Sequence, residues 1–355
     1  MAPPFAARVP ALGRAALRAR WVPAALFSSG IVAGDKPILV RDFVRSALYD
    51  PNHGYFSKRA GPVGVLDSSI RFNQLEGRSA YMKHLDILYK KHDIAWFTPV
   101  ELFKPWYAYA IAASILRTAN LSVPLKIYEI GGGSGTCAKC ILDYMMLHAP
   151  PKVYNDMKYI SVEISSSLAE KQLETVGEVR SHLSKFTVEH RDATNRSGWG
   201  RKDPRPCWVL MLEQLMDTLH QALPSMSLIA SDFSYLPDVS IPGDRAPLVS
   251  SKKDGKTSDH RNYLDAQGDA DIFFPTDFQL LEQIDHNCSG FSKEQKNPGA
   301  FKPVKKRRTI ILDSAAFMEE FGMPLKTRTK DGYNPLLDDF KNTKFYLSVP
   351  THNRK

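Results

Sequence analysis

The chain has 355 residues, 43% of them hydrophobic and 24% charged, with a formal net charge of +9. That apolar fraction supports a sizeable core, and the length admits two domains or one long α/β domain. No uninterrupted apolar run approaches the roughly 18 residues of a membrane helix, which excludes a helical span.

Residues 1–34 contain Arg8, Arg14, Arg18 and Arg20, no lysine, and no acid before Asp35. Alanine and leucine fill the gaps, with Ser28 and Ser29 near the end, the composition of a mitochondrial transit peptide. Those four arginines then belong to an address, and the mature chain is expected in the matrix. Residues 35–122 read as a mostly helical N-terminal cap. Pro37 suits a first helical turn, and Ile38, Leu39, Phe43, Val44, Ala47 and Leu48 fall on one apolar face. The helix is predicted to end at Asp50-Pro51-Asn52-His53-Gly54, a run of turn formers. An aromatic block from Ala95 to Leu116, with Trp96, Phe97, Trp106, Tyr107 and Tyr109, is expected to pack over a sheet.

Residues 123–355 read as the second domain. Leu125, Ile127, Tyr128 and Ile130 predict a buried parallel strand. Glycine follows at 131, 133 and 135, and Ala138, Ile141, Leu142 and Met145 then recur at helical spacing. A ligand approaches the backbone closely only where no Cβ intervenes, and the helix start beyond offers free N–H groups. The dinucleotide pattern G-x-G-x-x-G would need a third glycine at 136, where Thr136 stands. The pattern present is Glu129-x-Gly-x-Gly-x-Gly135.

Further strands are predicted over Lys158–Glu163, Phe186–His190 with Asp192 just beyond, and Trp208–Leu212 ending at Glu213. Ser167 and Glu170 have the spacing of a capping box. Acids at the carboxyl ends of successive strands fit the crevice of an open α/β sheet. A helix from Gln214 carrying Asp217, a strand Ser227–Ala230, and an irregular loop over 237–271 follow. Thr276 to Gln279 reads as a helix cap, and Thr309–Leu312 with Phe345–Leu347 as a closing hairpin pair. Cys137 and Cys140 have C-x-x-C spacing, but no second pair completes a zinc site, and ordinary helix residues are expected. Lys302, Lys305, Lys306, Arg307 and Arg308 form a basic run of the kind that contacts phosphates. It leads directly into a strand, so a solvated loop is expected and nucleic acid is not a favoured partner.

The run from Glu129 to Gly135, with Glu163 one strand over, resembles the first motif of the Rossmann-like S-adenosylmethionine (SAM) methyltransferases. That resemblance implies SAM as cofactor, with Glu129, Gly131, Gly133 and Gly135 at the cofactor turn. It also implies Glu163 on the ribose and Asp192 on the adenine amino group. Ala47-Leu-Tyr-Asp-Pro-Asn-His-Gly-Tyr-Phe-Ser57 adds a resemblance to the MidA-like family, the mitochondrial protein-arginine methyltransferases of complex I assembly, from about residue 36 to the end. It implies an α/β, Rossmann-like methyltransferase sheet with a helical N-terminal extension, and symmetric dimethylation of an arginine in a complex I subunit.

A guanidinium is protonated at neutral pH, with a pKa of about 12.5 or higher. Carboxylates must therefore grip it and accept its proton as methylation proceeds. Glu213 is the first candidate for that role and Asp217 the second. Two departures from the family stand out. Glu101-Leu-Phe-Lys-Pro-Trp106 replaces the Phe-Gly-Glu of many members. Beyond Glu213 the expected aspartate falls one place late, at 217, without the Asn/Ala-Leu-Pro that should follow. That reads as the loss of an internal segment.

Overall fold

The computed structural model describes residues 38–50, 52–58, 62–92, 94, 96–211, 215–236, 247–253, 256–266, 268–289 and 307–351. The segment read as a transit peptide, Pro37, Glu213, Lys302, Lys305 and Lys306 lie outside the described residues. In chain order the elements begin with α1 (Val40–Tyr49), α2 (Tyr55–Lys58), α3 (Gly77–Lys91), α4 (Pro99–Leu102) and α5 (Trp106–Thr118). Next come β1 (Lys126–Ile130), α6 (Thr136–His148), α7 (Pro151–Asp156), β2 (Lys158–Glu163), α8 (Ser166–Gly177), β3 (Phe186–His190), β4 (Cys207–Met211), α9 (Met216–Ala222) and β5 (Met226–Phe233). The remainder are β6 (Leu248–Lys253), β7 (Lys256–His260), β8 (Asp271–Phe273), α10 (Phe278–Cys288), β9 (Arg307–Asp313), α11 (Ser314–Phe321), α12 (Pro335–Asp338) and β10 (Thr343–Pro350). None of these helices is long and apolar enough to cross a membrane.

The chain divides into two compact units. The smaller comprises Met1–Gly64, Ser79–Phe97 and Tyr235–Pro275. In it α1 buries Phe43, Ala47 and Leu48, part of the expected apolar face. Ile38 and Leu39 do not join that face. Leu39 is the extended N-cap residue, and both side chains are exposed. After the helix, Oδ1 of Asp50 accepts from the N–H groups of Asn52 (2.8 Å) and His53 (3.3 Å), closing the predicted turn. The stretch expected to be one irregular loop instead contains an antiparallel sheet of order β7-β6-β8. Its strands lack apolar alternation because β7 is polar and largely exposed, while β6 buries Leu248 and Val249. Val249, Ala266, Ala270 and Ile272 close a small core with Phe43 and Tyr55.

The larger unit comprises Val65–Arg78, Thr98–Ser234 and Thr276–Lys355. Its seven-stranded sheet has the order β3-β2-β1-β4-β5-β10-β9. The five strands from β3 to β5 run parallel, and β10 lies antiparallel between β5 and β9. The strands expected to close the sheet do pair, although α11 and α12 connect them in place of a tight turn. Tyr128, Val162, Val209 and Leu228 of the sheet pack with Leu219 of α9 and Leu281 of α10. Tyr107 of α5 packs on Phe345 of β10, with its hydroxyl 2.5 Å from Oγ of Ser231, so this part of the aromatic block covers the sheet.

Both predicted caps shift by one or two places. Ser165, not Ser167, caps α8 by accepting from the N–H of Leu168. Asp277 caps α10, whereas Thr276 donates to Oδ2 of Asp232. In each case the capping residue is the last one with extended backbone. Arg307 is 3% exposed and bound to Asp285, which removes it from the basic run as a surface charge.

Candidate cofactor-binding site

The order β3-β2-β1-β4-β5 places a topological switch point between β1 and β4, where open sheets of this kind form a crevice beyond the strand ends. The turn leaving β1 sits at that edge. Gly131, Gly133 and Gly135 all have positive φ, at 68°, 54° and 84°, a region costly for residues with a Cβ. Space divides the glycines further. A Cβ on Gly131 would meet nothing within 4 Å, whereas one on Gly132 would lie 2.9 Å from Oε2 of Glu129. One on Gly135 would lie 2.9 Å from Cα of Gln172. The turn is therefore packed tightly on its inner side and open over Gly131. The N–H of Gly131 donates to the carbonyl of Val162 at 3.0 Å, fixing the turn to β2.

Glu129 is 7% exposed and lies on the packed side. Its Oε2 accepts from the Tyr159 hydroxyl at 3.1 Å. Burial pushes its carboxyl up to about 7, against the opposing hydrogen bonds from Tyr159 and the Cys137 thiol. Glu163, at the end of β2, is held from three directions. Oε1 accepts from the N–H groups of Ile164 and Ser165, both at 2.9 Å, and Oε2 from Nε2 of Gln172 at 3.0 Å. Burial raises this carboxyl too, and those donors pull the other way. Nε2 of Gln172 also donates to the carbonyl of Gly133 at 3.1 Å.

Asp192 stands two residues beyond His190, the register partner of Glu163. Its Oδ1 closes a local turn by accepting from N–H (2.8 Å) and Oγ1 (2.7 Å) of Thr194. The turn glycines, Glu129 and Glu163 are thus brought together, with Asp192 at the next strand end. Asp217 is exposed in the first turn of α9, where Oδ2 accepts from Nε2 of Gln221 at 2.7 Å.

Two contributors escaped the sequence reading. Glu101 is 1% exposed; Oε2 accepts from Oγ1 of Thr136 at 2.6 Å, and Oε1 from the Leu66 N–H and the Lys104 ammonium. It thereby braces the first residue of α6, beside the turn. Gln172 was readable as a polar residue in the apolar stripe of Leu168, Ala169 and Val176. Burial pushes the Cys140 thiol up to about 12 and raises that of Cys137, the direction opposite to an activated redox pair. Among the described residues no group of three or more His, Cys, Asp or Glu side chains could hold a metal ion.

A family profile described as S-adenosyl-L-methionine-dependent methyltransferase matches residues 110–204 and 192–295. No curated protein matches the chain. Among solved structures, a Burkholderia thailandensis protein crystallised with S-adenosyl-homocysteine superposes with a TM-score of 0.54 at 12% identity, covering 86% of each chain. The native crystal structure of an uncharacterized protein from the same organism gives 0.51 at 10% identity, over 87% of this chain and 86% of the other. At these identities the likeness carries the fold.

Proposed function

The chain belongs to a family of S-adenosyl-L-methionine-dependent methyltransferases, and from that premise we propose that it methylates arginine side chains of a mitochondrial protein. By the resemblance carried in Ala47–Ser57, the substrate is a complex I subunit, modified to symmetric dimethylarginine in the matrix. The residues present fit the cofactor. The space over Gly131 admits a ligand where any other residue would place a Cβ, and acids stand at the ends of β2 and β3. In this reading the backbone of Gly131 to Gly135 holds the amino-acid end, Glu163 the ribose and Asp192 the adenine amino group. Glu129 braces the turn from its buried side.

The bound cofactor supplies an electrophilic methyl group on a sulfonium. Holding the acceptor nitrogen in line with that methyl supplies most of the acceleration. The guanidinium arrives protonated, so a carboxylate must orient it and take its proton. Glu213, two positions beyond the last residue of β4, is assigned that role. Asp217 is secondary, because its carboxylate is already engaged by Gln221.

The observation that carries the cofactor half of this reading is the open face of Gly131 beside an internally braced Glu163. The arginine half rests on the family resemblance. The test is mass spectrometry of arginine methylation in mitochondrial proteins with and without the chain, alongside transfer of labelled methyl by the purified protein. Symmetric dimethylarginine that disappears with the chain supports the proposal. Tight cofactor binding without transfer to any protein points to a second reading, an assembly factor that keeps the fold, which the engagement of Asp217 favours.

A further inference from the structure

We propose that Gln172 is a positioning residue for cofactor binding, aiming the Glu163 carboxylate at the ribose and coupling it to the glycine turn. The inference rests on the assignment of Glu163 to the ribose. Gln172 is fully buried in the middle of α8, and its one amide nitrogen spans the two halves of the site. Nε2 donates to the carbonyl of Gly133 at 3.1 Å and to Oε2 of Glu163 at 3.0 Å. Both amide hydrogens are thereby used. Flipping the amide would set its oxygen against two acceptors, so the orientation is forced. Its Oε1 is left buried with no partner among the described residues. A side chain serving packing alone would not keep an unsatisfied acceptor in place of an apolar group.

The backbone reinforces the coupling. Gly135 is seated so closely on α8 that a Cβ there would come within 2.9 Å of Cα of Gln172. Oε1 of Glu163 is already taken by the first two N–H groups beyond β2. Gln172 holds the other oxygen, so with those N–H groups it fixes the rotation of the carboxylate, and it sets which lone pair of Oε2 is left for a ligand hydroxyl. A ribose hydroxyl bound by Glu163 is read through Gln172.

The test is calorimetric titration of the full chain with S-adenosyl-homocysteine and with its analogue lacking both ribose hydroxyls. Gln172→Met keeps the shape and removes both hydrogen bonds. It is expected to weaken S-adenosyl-homocysteine about tenfold more than it weakens the analogue, the scale of a hydrogen bond to a charged group, because both ligands share any loss at the Gly133 turn. The discrimination between the two ligands then collapses, which lost packing alone would not produce. Wild-type discrimination in a folded Gln172→Met protein overturns the inference and leaves the cofactor assignment standing.

Gln172→Glu is the second variant. Protonated, it can still donate to Glu163; ionised, it repels it, so its affinity should fall with rising pH more steeply than that of the wild type. A wild-type pH profile counts against the proposal. If the wild-type protein does not bind S-adenosyl-homocysteine, the site assignment fails and the inference with it.

Discussion

The Tyr159 hydroxyl donates to Oε2 of Glu129 at 3.1 Å, on the side of the glycine turn that is closed to ligand. The pair sits where burial pushes the Glu129 carboxyl up to about 7 from an ordinary value of 4.5. The folded protein therefore holds this proton more tightly than the unfolded chain. The resulting stability is fully present below about pH 4.5 and is lost as pH rises through about 7. We predict that Glu129→Gln flattens this dependence. In urea titrations between pH 5.5 and 8, the wild type should lose roughly 1–3 kcal/mol relative to the variant. Parallel curves for the two proteins would refute the assignment.

Gly131 and Gly135 should respond differently to the same added methyl. Both have positive φ, so alanine costs each about 1–2 kcal/mol of backbone strain. At Gly135 the methyl also collides with the backbone of Gln172, and the total should reach about 3 kcal/mol. At Gly131 it enters open space, so stability should fall by the strain alone while S-adenosyl-homocysteine affinity is lost. Thermal melts paired with calorimetry separate the two effects. Undiminished affinity in Gly131→Ala would mean that the open face is not where the ligand lies.

The inner parallel strands were legible because each is a short apolar run ending in an acid or glycine turn, a pattern set by burial on both faces. The edge strand β3, by contrast, buries only Phe186 and was marked by its position before Asp192. The Glu129–Gly135 turn was legible because positive φ demands glycine. The small sheet of β6, β7 and β8 was not. Its Ser, Lys, Thr and Asp side chains carry no apolar period, and its strands are held by backbone pairing around Leu248 and Val249. Nor could spacing reveal Glu101, 35 residues from Thr136, or that Gln172 turns its amide toward Gly133. Such contacts are made by tertiary packing, and a polar residue in an apolar stripe was the one local sign.

Glu101 gathers the Leu66 N–H, the Lys104 ammonium and the Thr136 hydroxyl in a nearly fully buried position. Removing the carboxylate leaves the Leu66 N–H without its acceptor and the Lys104 ammonium with only the Leu66 carbonyl and no counter-charge, so Glu101→Ala should cost about 3–5 kcal/mol, the scale of breaking a buried ion pair. Thr136→Val removes one donor and should cost about 1 kcal/mol. Because they share a bond, the double variant should be less destabilised than the sum of the two by roughly 1 kcal/mol. Strict additivity in chemical denaturation would show that Thr136 does not depend on Glu101.

Asp285 makes the opposite prediction to Glu129. It is fully buried, which alone would raise its carboxyl, yet Nε2 of His220 donates to Oδ1 at 2.7 Å. Nε of Arg307 at 2.9 Å and the Tyr346 hydroxyl at 2.7 Å donate to Oδ2, and together these partners hold the group down to about 2. Its contribution is therefore present above an ordinary value of 3.8 and is lost as pH falls toward 2. We expect the wild type to lose about 2 kcal/mol between pH 4 and pH 2 from this group, and Asp285→Asn to lose much less over that window. At pH 7 the variant should be destabilised by about 3–5 kcal/mol, because Arg307 is left buried without its counter-charge. Arg307 also donates to the carbonyls of Met226 and Ser348, so the cluster ties the start of β9 to β5 and β10. The loss should therefore appear first as accelerated amide exchange in β9 and the neighbouring end of β10. Uniform exchange across the sheet would place the energy of Asp285 elsewhere.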